Sequence, residues 1–330
     1  MRRNAVIVAT GGYLPSRKLP NKYFNELIGE DVDHFLRERL HIYERRWCED
    51  YESTADLAVG AAQIALDRAM VSPNDLDLII VATDTPEYLS PSTASVVQFR
   101  LNAGHAGTFD LNSACVGFIT ALDVGSKYIQ TDTQYNYVLI IGAYAMSKFM
   151  DPKDKRTATL FADGAGAVLL KAENKTERGF LRSKLITLGQ YYDGMGIYAG
   201  GARKPISYER IVSNDHVLKF NYRFPPTLNP QMWTRMAKEL CEELEVSVDD
   251  VKHFFLTQIN INSIHKTLDN LEVDYQKAHT TMHHFAYTGS ASIPITLDDA
   301  IAKKLIQKND LIFFIGSGGG LSFGAVAMRF

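Results

Sequence analysis

The chain has 330 residues, 46% hydrophobic and 22% charged, a globular composition with material for one large core or two fused ones. A formal net charge of −3 and a pI near 6.3 speak against a general nucleic-acid binder, which would carry a basic face. No run of about 18 apolar residues exists to span a membrane, and the opening "MRRNAVIVATGGYLP" lacks the apolar region and cleavage site of a signal peptide.

In chain order, "NAVIVATGGYLP" reads as a strand and turn, and 53–70 as an amphipathic helix with Ser53 and Thr54 near its start. The apolar run in 76–84 reads as a buried parallel strand. A helix over 90–104, a strand over 107–114, a helix over 116–130 and a strand over 135–145 follow, then a second strand within 159–172. The region 173–250 is less regular. Residues 191–205, rich in Gly and Tyr, read as a loop, and 231–244 as a helix whose apolar stripe includes Cys241. Three later segments, 251–260, 285–306 and 309–320, repeat the order of the first half at an offset of about 174 residues, too long for a solenoid repeat. The economical reading is a duplicated α/β unit, with halves at 1–172 and 173–330.

The three cysteines, Cys48, Cys115 and Cys241, show no CxxC spacing and cannot all pair. That fits a cytoplasmic protein with neither a disulfide framework nor a metal site. Cys115, in "NSACVGF", sits between a strand and a helix among small residues. A helix start favours a thiolate and offers N–H groups to an oxyanion, so Cys115 is a candidate acyl acceptor with a lowered thiol pKa. A buried structural cysteine would fit the same local pattern. Near the C-terminus, "GSGGGLSFG" places three glycines after a strand, where bare backbone brings an N–H close to a reacting atom or simply turns a hairpin.

Taken together, "GGYLP" (11–15), "RERLHIYERR" (37–46), "ACVGF" (114–118), "DPKDKRT" (151–157), "FADGAGAVLL" (161–170), "TGSASIPITLDDA" (288–300) and "GSGGGLSFGAVAMRF" (316–330) resemble the β-ketoacyl-acyl-carrier-protein synthase III family of the thiolase superfamily. The resemblance runs nearly end to end. It implies a homodimer with a five-layered αβαβα fold, Cys115 as acyl-accepting nucleophile, and the Gly319 N–H as second oxyanion donor. It also implies a tunnel for the pantetheine arm of coenzyme A or an acyl carrier protein, which act as substrates, with no cofactor. Arg39, Phe35 and Lys155 match positions at the nucleotide end of coenzyme A, with Phe35 in place of a tryptophan and Lys155 in place of an arginine. Solvated surface would equally explain the basic residues Arg39 and Lys155.

The chain departs from the family where the acceptor is handled. In "TQINI" (257–261), Gln258 and Asn260 are kept, but Thr257 stands at the family histidine position. In "AYTGSAS" (286–292), Tyr287 stands at the asparagine position, and Ser317 replaces a phenylalanine that shields the cysteine. Thr257 and Tyr287 each offer a hydroxyl donor, but neither is a base near pH 7. His283, His284 and His265 lie near these motifs in sequence and are candidates to supply the missing imidazole. Three readings follow. The chain is a condensing enzyme acting on a carrier-bound or unusual acceptor; or a non-decarboxylating acyltransferase to an oxygen, nitrogen or carbon nucleophile; or a partner subunit without turnover, paired with a related chain.

Overall fold

A computed structural model describes residues 3–330. Nine principal strands follow one another: β1 (Asn4–Tyr13), β2 (Leu78–Ala82), β3 (Gly107–Leu111), β4 (Tyr137–Ala145), β5 (Asp163–Glu173), β6 (Gly179–Thr187), β7 (Val251–Leu256), β8 (Leu311–Gly318) and β9 (Ser322–Arg329). Six principal helices lie between them: α1 (Thr54–Ala69), α2 (Thr93–Leu101), α3 (Gly117–Thr131), α4 (Leu228–Leu244), α5 (Ile261–Leu271) and α6 (Ser292–Ala302). The first sheet has the order β1-β5-β4-β2-β3 and the second β7-β8-β9-β6. In each, one adjacent pair, β2 with β4 and β7 with β8, is parallel, and the strand that follows in sequence returns antiparallel.

Strands β2 and β8 are buried at every position, which is what a sheet covered on both faces requires. Helix α1 packs against β1, β4 and β5, with α2 beside it. Helices α3 and α6 touch strands of both sheets and fill the space between them. Helices α4 and α5 pack together, and α4 lies against β6, β8 and β9. The stack is therefore helix, sheet, helix, sheet, helix: the thiolase-like five-layered arrangement of two duplicated halves.

Local chemistry sets the element ends. Ser53 and Asp56 form a capping box at the start of α1, while the Thr54 hydroxyl donates to the Thr85 carbonyl. Helix α4 begins one turn earlier than the apolar stripe predicts, because Pro230 is tolerated in a first turn. The irregular region also holds β6, which pairs with β9 and mirrors β1 in the second half. The repeat is incomplete. Sheet one has five strands and sheet two four, so β3 has no paired counterpart among the described residues. All three cysteines are free and buried, and no helix among the described residues is long and apolar enough to cross a membrane.

Candidate active site

The carboxyl ends of β2, β3, β7 and β8 converge on the turn between β3 and α3, the edge of an α/β sheet where ligands usually bind. In that turn the Ala114 N–H donates to Asn112 Oδ1 at 2.9 Å, and the Gly117 N–H donates to the Ala114 carbonyl at 2.9 Å. Ala114 takes φ +49°, a left-handed conformation that a small side chain adopts with least penalty. Cys115 is thereby turned toward the end of β8.

Gly318 makes that approach possible. A Cβ there would lie 2.6 Å from the Ser113 carbonyl oxygen and 2.8 Å from the Cys115 nitrogen. Gly318→Ala should therefore destabilise the fold by about 1–3 kcal/mol through overpacking, read as a lower thermal midpoint. At Gly319 a Cβ would meet nothing closer than Met195 Cε at 3.5 Å, so the steric need for bare backbone falls on Gly318, the first of the three glycines, and not on Gly319. Gly319 lines the cavity beside Cys115, and its N–H favours the thiolate.

The thiol is not pre-ionised. Burial, and then the nearby Asp84 carboxylate, push the Cys115 thiol up to about 12, against hydrogen bonds from the Tyr287 phenol and the Cys115 and Gly319 N–H groups. This corrects the expectation of a lowered pKa: α3 begins only at Gly117, and desolvation of the sulfur outweighs the donors around it. Raising a thiol's pKa from 9.0 to about 12 leaves roughly a thousandfold less thiolate at pH 8, partly offset by the greater nucleophilicity of the more basic sulfur. Alkylation of Cys115 by iodoacetamide at pH 8 should thus run roughly 10–100-fold slower than for an exposed cysteine and keep climbing past pH 9. Tyr287→Phe should slow it about tenfold further, since a donor to the thiolate is lost. A rate that levels off below pH 8 in peptide-mapped mass spectra would contradict both statements.

A groove reaches this sulfur. A cavity of about 440 Å³ is walled by Cys115, Tyr287, Ser317, Gly318 and Gly319, with Asn260 and apolar side chains around them. It shares Leu160, Phe220 and Arg223 with a second cavity of about 500 Å³ that opens beside Phe35, Lys155 and Arg156. Phe35 is 56% exposed, and Lys155 pairs with Glu30. Arg39 is exposed and lines neither cavity; its carbonyl accepts from Asn262 Nδ2 at 3.0 Å.

The acceptor-side residues divide. Tyr287 is held by backbone hydrogen bonds to Leu160 and Ala162, and its buried phenol meets the sulfur. Thr257 is buried, and its Oγ1 accepts from the Ser317 N–H at 3.1 Å; it lies behind the cavity wall and supports Ser317. Gln258 is also buried outside the cavity. Its Nε2 donates to the Leu256 carbonyl at 2.8 Å and its Oε1 accepts from the Thr281 N–H at 3.0 Å, so it fixes a loop instead of facing a substrate. Asn260 lines the cavity while its Oδ1 caps α5.

None of the candidate histidines reaches the sulfur. His283 uses both ring nitrogens, one with the His41 carbonyl and one with Thr280 Oγ1. His284 is exposed beside Glu44, and His265 stacks on Tyr275 at 4.2 Å. No histidine lines either the Cys115 cavity or the one beyond Gly319 among the described residues. The site instead holds a residue that motif reading passes over. Asp84 stands two residues beyond β2, and its charge acts on Cys115, Tyr144 and Tyr287. An acid directly after a fully buried strand was the available signal.

A five-layered fold that offers a buried cysteine to a long groove, with N–H donors at the sulfur, is that of the thiolase-like acyltransferases. Residues 109–189 match the 3-oxoacyl-[acyl-carrier-protein] synthase III family and residues 241–330 its C-terminal part. The β-ketoacyl-[acyl-carrier-protein] synthases III of Natranaerobius thermophilus and Clostridioides difficile are 35% and 32% identical, over 99% of both chains in the first case and over 100% of this chain and 99% of the relative in the second. The crystal structure of 3-oxoacyl-[acyl-carrier-protein] synthase III from Aquifex aeolicus VF5 superposes with a TM-score of 0.89 at 31% identity, covering 99% of this chain and 100% of that one. The chain belongs to the 3-oxoacyl-[acyl-carrier-protein] synthase III family of condensing acyltransferases.

Proposed function

We propose that the chain loads an acyl group from a coenzyme A or acyl-carrier-protein thioester onto Cys115 and transfers it by condensation to a carrier-bound or unusual acceptor that needs no decarboxylation. The observation that carries this reading is the open groove ending at the Cys115 sulfur, flanked by Gly319 and Tyr287. The sulfur attacks the thioester carbonyl, and the Cys115 and Gly319 N–H groups face the charge that develops on its oxygen. Collapse breaks the bond to the leaving thiol, which takes up the proton lost by Cys115. The products are an acyl-cysteine and a free thiol, with no net gain or loss of electrons.

Arg223, Lys155 and Arg156 at the groove mouth offer positive charge for the phosphates of either donor. Phe35 offers a flat apolar face for the nucleotide base of coenzyme A. We take 1–172 and 173–330 as the two halves, and a cytoplasmic homodimer as the working form. Intact-mass measurement after incubation with acyl-CoA or acyl-ACP tests the assignment: an acyl adduct on Cys115 supports it, and a chain that gains no mass is the partner subunit without turnover. A second reading, transfer without decarboxylation to another nucleophile, draws on the absence of histidine from the groove walls among the described residues.

A further inference from the structure

A thiol pushed up to about 12 keeps its proton at neutral pH, so the proton of Cys115 must leave as the sulfur attacks a thioester. Two cavities meet at Met195 and Gly319 beside that sulfur: the groove, and a smaller one of about 300 Å³. Among the described residues, no carboxylate or imidazole lines the groove, and Asp84 is the only one that lines the smaller cavity.

Strand pairing sets Asp84 beside the Cys115 turn. Strand β2 runs parallel to β3 and β4, with Ala82 level with Leu111 and Gly142. Just beyond, the Thr83 N–H donates to the Leu111 carbonyl at 3.1 Å, and Thr85 Oγ1 accepts from the Ala145 N–H at 2.9 Å. Asp84 is thereby held between the chain that leads to Cys115 and the end of β4 that carries Tyr144. The start of α3 lies over the same point, since a Cβ at Gly117 would be 3.3 Å from Ala82 Cβ. The Asp84 charge acts on the Cys115 sulfur and on the Tyr144 and Tyr287 phenols, and only its own N–H offsets it. Asp84 Oδ1 is closed to solvent and has no hydrogen-bond partner, so the fold draws no bond from it.

We propose that Asp84 is the proton acceptor for Cys115 during acyl loading. The inference rests on Cys115 being the acyl acceptor. As the sulfur bonds to the thioester carbonyl carbon, its proton passes to the Asp84 carboxylate and negative charge gathers on the carbonyl oxygen. When that charge collapses, the C–S bond to the leaving thiol breaks, and the departing sulfur takes the proton back from Asp84. One S–H and one C–S bond break and one of each forms, with no electron gained or lost. Burial lifts the Asp84 carboxyl to about 6, which leaves it ionised and able to accept at neutral pH.

The test times two reactions of Cys115 across about pH 5–10: acylation by an acyl-CoA, read as intact mass, and alkylation by iodoacetamide. Alkylation follows the thiolate alone and should climb throughout. Acylation should instead rise through about pH 6, as Asp84 ionises, and then flatten. Asp84→Asn should slow acylation at neutral pH roughly 100-fold and remove the step near pH 6. The same exchange should speed alkylation severalfold, because it removes a charge that opposes the thiolate. A group that only repelled the thiolate would, once removed, speed both reactions, and one that only held the turn would slow both. Wild-type acylation that climbs with alkylation and shows no step overturns the proposal, as does an Asp84→Asn chain that acylates at the wild-type rate. If that variant does not fold, the two wild-type profiles still decide. No acylation at any pH removes the acyl-acceptor reading, and this inference falls with it.

Discussion

Cys115→Ala is expected to take no acyl label from any acyl-CoA or acyl-ACP thioester, while unfolding within a few degrees of the wild type. Loss of a covalent nucleophile costs on the order of 10⁶ in rate, because the remaining donors have no bond to stabilise. The fold should survive, since the sulfur is a single atom at a cavity wall and alanine already stands next to it at Ala114. Cys48 and Cys241 serve as internal controls. Both thiols are buried and raised in pKa, Cys48 against Asp163 and Cys241 within α4, and neither lines the groove. Cys48→Ala and Cys241→Ala should therefore keep the label. Peptide mapping that found acyl groups on either of them in the wild type would contradict the assignment.

The candidacy of Cys115 was readable from "NSACVGF", because small residues around a cysteine at a strand–helix junction leave a distinct trace, and the fold places Cys115 in the wall of the groove. Most of the sheets were readable for a similar reason. Strands such as β2 and β8 are buried on both faces, and unbroken apolar runs such as "LIIVA" and "LIFFI" announce that. Strand β6 was not, since "GFLRSKLIT" is an edge strand with charges on one face and reads as polar linker until β9 is known to lie beside it. The protonation of Cys115 was also out of reach. A helix start argues for a thiolate locally, but burial and Asp84 come from elements brought together only by the fold. Asp84 lies 31 residues upstream by the numbering, beyond any local pattern. The same applies to Thr257. Its sequence position marks it as the stand-in for a family histidine, yet its hydroxyl is occupied by Ser317 across two parallel strands.

The second large effect concerns malonyl-ACP. The wild-type chain should leave it intact, releasing no labelled carbon dioxide even when Cys115 is acylated. Decarboxylation needs donors aimed at the enolate oxygen, and losing one such donor costs about 10²–10³ in rate. Here Thr257 is turned to the Ser317 N–H, Tyr287 to the Cys115 sulfur, and the histidines nearest in sequence are held elsewhere. With both donors absent the loss compounds to about 10⁴–10⁶. Thr257→His with Tyr287→Asn should bring the first detectable release of carbon dioxide. The same exchange removes the acceptor of the Ser317 N–H and the donor to the sulfur, so acyl loading should fall in that variant while decarboxylation rises. Opposite movements of the two rates would mark a division of labour in which Tyr287 serves the Cys115 sulfur and not the acceptor's enolate. Carbon dioxide released by the unmodified chain at a rate matching acyl loading would mean that another group supplies those donors.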